Sequence, residues 1–221
     1  MGLIRSQVHP ELPLNIFVYT ELTAFERLWN NVTTACRGLV VDDKDRCIVR
    51  CLPKFFNEGE KHLAPDHNPL ADPVYYDKMD GSLIQVVRDK EYGFVVTSKG
   101  SFASDQAKWA KQLLEGREME FDTNLTYVFE LIHPENRIVL DYGTRKELVL
   151  LAVVETENGV ERNIYDKRFE HFTKTQVIED PLEHMAGLVE GIVAVKDGYR
   201  LKIKTEEYVR LHRIVTEFTP K

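Results

Sequence analysis

The stretch from Glu190 to Lys204 admits one kind of local structure. Glu190-Gly191-Ile192-Val193-Ala194-Val195 is a short apolar run, Asp197-Gly198 supplies a turn, and Tyr199-Arg200-Leu201-Lys202-Ile203-Lys204 alternates apolar and cationic residues. Apolar residues at every second position share one face of a strand and would be scattered around a helix, so this is a hairpin. On its second strand Arg200, Lys202 and Lys204 fall on one face. Neighbouring cations repel one another, which suits either a solvated outer face or a clamp for a polyanion such as a triphosphate.

The same cadence recurs along the chain. Asn15 to Tyr19 reads as a strand, and Thr20 as the cap of a helix from Glu21 to Asn30 with Leu22, Phe25, Leu28 and Trp29 on one side. Cys36 to Val41 turns at Asp42-Asp43-Lys44-Asp45 into Cys47 to Leu52, and Leu83 to Arg88 pairs with Phe94 to Ser98. Ser104 to Glu115 is helical, with Ala107, Ala110, Leu113 and Leu114 as its apolar stripe. Leu125 to Ile132 is a strand. Leu148 to Glu155 returns through a type I′ turn at Asn158-Gly159. Tyr165 to Met185 is mixed and polar, with short helices broken at Pro181, and Thr205 caps a closing helix from Glu206 to Val215.

With 221 residues, 43% of them hydrophobic, the chain can bury a sizeable core. No repeat or Gly/Ser/Pro-rich linker divides it. The expectation is an α+β fold, antiparallel sheets from successive hairpins flanked by helices, as one domain over residues 1–221. A net charge of -7 excludes a surface that coats nucleic acid indiscriminately, so any such contact needs a local basic cleft. Cys36, Cys47 and Cys51 lack Cys-x-x-Cys spacing and suggest reduced thiols rather than a zinc site. No apolar run reaches membrane-spanning length.

Three groups stand out chemically. Lys78, in Tyr76-Asp77-Lys78-Met79-Asp80-Gly81, follows the Pro73 break and precedes a turn-forming Asp-Gly at a strand edge. It reads either as an ordinary exposed lysine or as a nucleophile, whose amine attacks phosphorus once neutral. Glu130 shares a strand face with Val128 and Ile132; it reads either as a solvent-facing position of an alternating strand or, because that face is otherwise apolar, as part of a pocket, which is the favoured reading. In Lys54-Phe55-Phe56-Asn57-Glu58-Gly59-Glu60 a cation, two aromatics and acids crowd one loop, where Phe55 or Phe56 is either core or a stacking face.

Lys78-Met79-Asp80-Gly81, Phe129-Glu130-Leu131, Glu190-Gly191-Ile192-Val193 and Lys202-Ile203-Lys204 resemble, in order and spacing, motifs I, III, IV and V of the covalent nucleotidyltransferases, the polynucleotide ligases and capping enzymes. Cys36-Arg37-Gly38, the Lys54 to Glu60 loop and Pro134-Glu135-Asn136-Arg137-Ile138-Val139-Leu140 are similar to the phage RNA ligase 1 family. The resemblance implies an ATP-grasp-like nucleotidyltransferase domain that joins AMP to Lys78, passes it to an RNA 5′-phosphate and lets a 3′-hydroxyl displace it. It implies catalytic roles for Lys78, Lys202 and Lys204, with the two latter also gripping the nucleotide. Arg37, Lys54 and Lys99 would hold outer phosphates and Phe56 would lie against the nucleotide, with Asp77, Glu130 and Ile192 as further nucleotide contacts. Glu130 and Glu190 would hold Mg²⁺ or Mn²⁺. Met79 stands where a glutamate is usual. The expected partners are RNA ends and no membrane, the expected form a monomer in the cytoplasm, or host cytoplasm if phage-encoded, without a C-terminal OB-fold or tRNA-specificity domain. A GTP-using guanylyltransferase and a non-catalytic nucleotide- or RNA-binding subunit are the alternatives.

Overall fold

A computed structural model describes residues 2–60 and 72–218, with side chains to residue 215; the expected single domain over 1–221 therefore includes positions outside the described residues. In chain order the strands and helices are β1 (Ile4–Val8), β2 (Leu14–Tyr19), α1 (Glu21–Phe25), α2 (Asn31–Ala35), β3 (Arg37–Asp42), β4 (Cys47–Val49), β5 (Phe56–Asn57), β6 (Val74–Asp77), β7 (Ser82–Asp89) and β8 (Gly93–Ser98). They continue with α3 (Asp105–Leu113), β9 (Leu125–Ile132), β10 (Glu147–Glu155), β11 (Glu161–Arg162), β12 (Val177–Ile178), α4 (Pro181–Met185), β13 (Gly191–Lys196), β14 (Tyr199–Lys204) and α5 (Glu206–Phe218). This is the expected α+β fold, with few helices.

The chain divides into two compact units, each assembled from three separate segments. The first comprises Met1–Lys54, Ser82–Leu131 and Glu147–Lys174. It holds a four-stranded sheet in the order β1-β2-β3-β4 and a five-stranded sheet in the order β11-β10-β9-β7-β8. Its main core is aromatic: Phe121, Tyr127, Phe129 and Phe172 pack largely edge to face, the geometry that ring quadrupoles favour, and Ala110 and Leu114 from the α3 end close over them. Ser104 caps α3 by accepting the N–H of Ala107, and Ala107 and Ala110 are fully buried, as their spacing predicts.

The second unit comprises Phe55–Gly81, Ile132–Lys146 and Thr175–Lys221. Its five-stranded sheet runs β12-β6-β13-β14-β5. β13 pairs antiparallel with both β6 and β14, whereas β14 pairs with the two-residue β5 in parallel. Asp197 and Gly198 both adopt positive φ, +50° and +80°, the type I′ geometry that matches strand twist. Thr205 accepts the N–H of Tyr208 and so caps α5.

Several local expectations are corrected. The helix expected over Glu21 to Asn30 stops at Phe25, because Arg27 turns left-handed and Asn30 caps a second helix through a reciprocal bond with Thr33. Phe25 is consequently 83% exposed rather than part of a core stripe. At Asn158-Gly159 only the glycine has positive φ and its N–H reaches Glu155 O, four residues back, so the turn is wider than type I′. Pro181 opens α4 instead of breaking a helix, with Asp180 as its cap, since proline at the first turn forfeits no bond.

Candidate functional site

Lys78 leaves the end of β6 and its backbone N–H donates to Gly191 O, 3.0 Å, which ties it to the start of β13. Its Nζ lies 2.6 Å from Glu190 Oε2, and Lys204 Nζ lies 3.0 Å from Glu190 Oε1. One buried carboxylate thus holds two ammonium groups that stand far apart in sequence. Lys78 keeps 18% of its side chain exposed and Lys204 29%, so both retain a solvent-facing side. Gly191 makes this approach possible: it adopts φ +149°, and a Cβ there would stand 2.1 Å from Ile203 O. Lys204 also lies over the Tyr208 ring, 5.0 Å from its centroid.

Asp80, expected as a turn former, is instead a clasp. It is 4% exposed; Oδ2 accepts the N–H groups of Val139 and Leu140, both at 2.8 Å, and Oδ1 accepts the Tyr208 hydroxyl at 2.7 Å. Its own N–H donates to the Tyr142 hydroxyl oxygen at 2.9 Å. Burial, followed by this bond to Asp80, pushes the Tyr208 hydroxyl far above the ordinary tyrosine range, and burial pushes Tyr142 up to about 12. Both phenols therefore stay protonated; the Tyr208 hydroxyl donates to Asp80, whereas the Tyr142 oxygen accepts the Asp80 N–H. The loop bearing Lys78 is held to the Val139–Tyr142 segment and to α5 by one carboxylate.

Asp77 is fixed from both flanks. Its Oδ1 lies 3.0 Å from His184 Nε2, its carbonyl accepts the Thr175 hydroxyl, and its N–H donates to Gln176 O. Ile192 is buried in register with Asp77 and Ile203. Lys202 Nζ sits 4.7 Å from the Phe55 ring centroid, and its carbonyl accepts the Glu58 N–H. Phe56 is 2% exposed, so of the two aromatics it is Phe56 that is buried while Phe55 meets a cation. A cleft of about 430 Å³ opens among Asn57, Lys202, Lys204, Tyr208, His212 and Arg213.

Arg37, Lys54, Lys99 and Glu130 belong to the first unit. Arg37 opens β3, and its guanidinium donates to Leu52 O at 3.4 Å. Lys54 follows β4 with its N–H on Thr34 O, and Lys99 follows β8. Glu130 is half-buried on β9, opposite Leu83 of β7. The structure therefore brings Lys78, Glu190 and Lys204 together, with Lys202 and Asp77 on the same sheet. Sequence reasoning missed Tyr142, His184 and Tyr208, whose only signal was polar character near apolar runs.

Among the described residues no three His, Cys, Asp or Glu side chains cluster as a metal cage. Glu190 nevertheless offers hard oxygen donors, and Mg²⁺ takes only one or two carboxylates when phosphates complete its shell. The three cysteines are free, and burial raises the Cys36 and Cys47 thiols. No helix among the described residues is long and apolar enough to cross a membrane.

A family model described as RNA ligase matches residues 35–208. The chain is 26% identical over 217 residues to a candidate bifunctional polynucleotide kinase/RNA ligase of Autographa californica nuclear polyhedrosis virus, a match covering 82% of this chain and 31% of the viral protein. An archaeal ATP-dependent RNA ligase superposes with TM-score 0.65 at 12% identity, over 94% of this chain and 60% of that one. A Naegleria gruberi RNA ligase variant solved with ATP and manganese superposes with TM-score 0.50 at 13% identity, over 64% and 52%. The chain spans less than two thirds of the length of each.

Proposed function

The chain belongs to the RNA ligase family, and from that premise we propose that it is an ATP-dependent RNA ligase working through a covalent lysyl-AMP at Lys78. The observation that carries the reading is the contact set Lys78–Glu190–Lys204. Attack by Lys78 Nζ on the α-phosphorus of ATP forms a P–N bond, breaks the bond to pyrophosphate and requires Lys78 to shed its protons. Glu190 Oε2, at 2.6 Å, is within proton-transfer reach of that nitrogen. Lys204, on the other carboxylate oxygen, orients Glu190 and supplies positive charge where phosphate charge grows. The AMP then passes to an RNA 5′-phosphate, and a 3′-hydroxyl seals the strand and releases AMP.

Glu190 and Glu130 would hold Mg²⁺ or Mn²⁺, a metal that neutralises phosphate charge when bound. Arg37, Lys54 and Lys99 would serve the outer phosphates, and Asp77, Ile192, Phe56 and Lys202 the nucleotide. Both units would act as one nucleotidyltransferase module, because each is interrupted twice by the other in sequence. The proposed partners are RNA ends, the form a monomer, and the setting the cytoplasm.

Mass spectrometry of the protein after incubation with ATP or with GTP tests this. An AMP adduct on Lys78, absent from Lys78→Ala, is expected, and Lys78→Ala should still seal RNA supplied with a 5′-adenylylated end. A GMP adduct would indicate a guanylyltransferase. No adduct with either nucleotide would indicate a binding subunit.

A further inference from the structure

Each lysine that meets Glu190 has a chain neighbour that grips the segment around Glu190. On the Lys204 side this is Thr205, whose hydroxyl donates to Val189 O at 2.8 Å and whose N–H donates to Glu190 O at 3.1 Å. On the Lys78 side it is Asp77, whose Oδ1 lies 3.0 Å from His184 Nε2. The stretch before α4 also holds the Asp77 backbone: Gln176 O accepts its N–H, and its carbonyl accepts the Thr175 hydroxyl at 3.0 Å. The carboxylate that meets both lysines is thus fastened toward Lys204 through Thr205 and toward Lys78 through His184. All of these residues belong to the second unit.

Packing alone does not fix this arrangement. None of the five α4 residues is fully buried, and Leu182 is 84% and Leu188 68% exposed. Met185, Ala186, Gly187 and Leu188 line an open cleft of about 540 Å³. The Asp180 side chain caps α4 by accepting the N–H groups of Leu182 and Glu183, which ties the helix only to itself. Apolar burial is non-directional and here small, so it leaves the placement of α4 against the sheet open, whereas a hydrogen bond of defined length and angle settles it. Only Met185 to Val189 separates His184 from Glu190, so a shift of α4 passes directly into the carboxylate.

We propose that His184 is a positioning residue for Lys78: its hydrogen bond to Asp77 fastens the approach to Glu190 against the strand end that carries the nucleophile, and so sets the 2.6 Å contact between Lys78 Nζ and Glu190 Oε2. The proposal rests on the ligase reading above and deepens it. His184 meets Asp77 and not the reacting atoms, so it acts through geometry. A carboxylate oxygen only accepts, so Nε2 carries the proton of this bond. A glutamine amide offers an N–H donor on a side chain of similar reach, and alanine offers none.

His184→Ala should lower the single-turnover rate of self-adenylylation at saturating ATP by about tenfold or more, the scale of a misplaced reacting group, while the KM for ATP stays within about twofold. His184→Gln should recover most of the rate. Added to Asp77→Ala, His184→Ala should cost nothing further, because both remove one bond. A normal rate in His184→Ala, no recovery in the glutamine variant, or full additivity with Asp77→Ala overturns the proposal.

A second measurement does not depend on ligation. Trace acetylation with acetic anhydride, read by mass spectrometry, reports how readily each lysine amine is attacked, with the exposed Lys90 as internal reference. A lysine held against a buried carboxylate as its ammonium reacts slowly, since only the free amine attacks. Relative to Lys90, Lys78 should acetylate about threefold faster or more in His184→Ala than in the unaltered protein, and at the unaltered rate in His184→Gln. Glu190→Gln, which removes the charge directly, should raise it at least as much. The two assays thus move in opposite directions, which a general loosening of the fold does not produce, because that would raise Lys90 as well. Lys78 labelling that ignores His184 overturns the proposal whether or not the protein forms a nucleotide adduct. Labelling that depends on His184 in a protein that forms no adduct with ATP or GTP would instead sink the ligase reading and leave the positioning of Lys78 standing.

Discussion

Replacing Asp80 by alanine strips acceptors from three donors at once: the N–H groups of Val139 and Leu140 and the hydroxyl of Tyr208. A buried donor left without a partner costs about 1–3 kcal/mol, so the bare sum runs from about 3 to 9 kcal/mol. The low end applies, because a polar cleft of about 160 Å³ lies beside Asp80 among His133, Asn136 and Tyr142 and is large enough for water to replace some of the bonds. Asp80→Ala should therefore lower the unfolding free energy by about 3 kcal/mol, read as a fall in urea midpoint at constant m-value. Tyr208→Phe removes only one of the donors and should cost about 1 kcal/mol. Because both variants delete the same bond, the double variant should fall short of their sum by about 1 kcal/mol. A loss below 1 kcal/mol for Asp80→Ala, or strict additivity with Tyr208→Phe, would refute the clasp.

Gly191→Ala should destabilise by several kcal/mol and lower self-adenylylation, since its Cβ would collide with backbone at Ile203 O and Lys204 Cα; thermal unfolding and adduct formation measured on one preparation check this, and an unchanged Tm would contradict it. Glu190→Gln keeps the shape but withdraws the charge between Lys78 and Lys204, so the adenylylation rate should drop by about 10²-fold while the protein stays folded; near-normal turnover would remove Glu190 from the mechanism. For Asp42, burial pushes the carboxyl up, but the Arg46 N–H and guanidinium, the Lys44 N–H and the Tyr92 hydroxyl outweigh it and hold the pKa below the usual value of 3.8. That depressed pKa means its stabilisation is present above the unfolded value and is lost as pH falls through the folded one. Asp42→Asn should lower stability at pH 7 and flatten the acid limb of the stability profile, and a limb unchanged in slope would show that other carboxylates set it.

The amino-acid sequence alone determined those elements whose cause is local. β9 has the limits read from its pattern, and α3 begins at the serine that caps it. The β13–β14 hairpin forms around Asp197-Gly198 because both residues tolerate positive φ. Each needs only periodicity and a neighbour a few positions away. Lys78, Glu190 and Lys204 could be named in advance from motif order, but not the distances among them.

Tertiary structure decided the rest. β1 carries no apolar alternation and is mostly exposed; it is a strand because β2 offers an edge to pair with. β5 exists only as a parallel addition to β14. Asp80 looked like half of an Asp-Gly turn, and its three side-chain partners lie at residues 139, 140 and 208, beyond any local pattern. The same holds for Glu190, whose two oxygens meet lysines from opposite sides of its sequence position. A carboxylate satisfies its lone pairs with whatever donors the fold delivers, and periodicity along the chain carries no record of which donors those are.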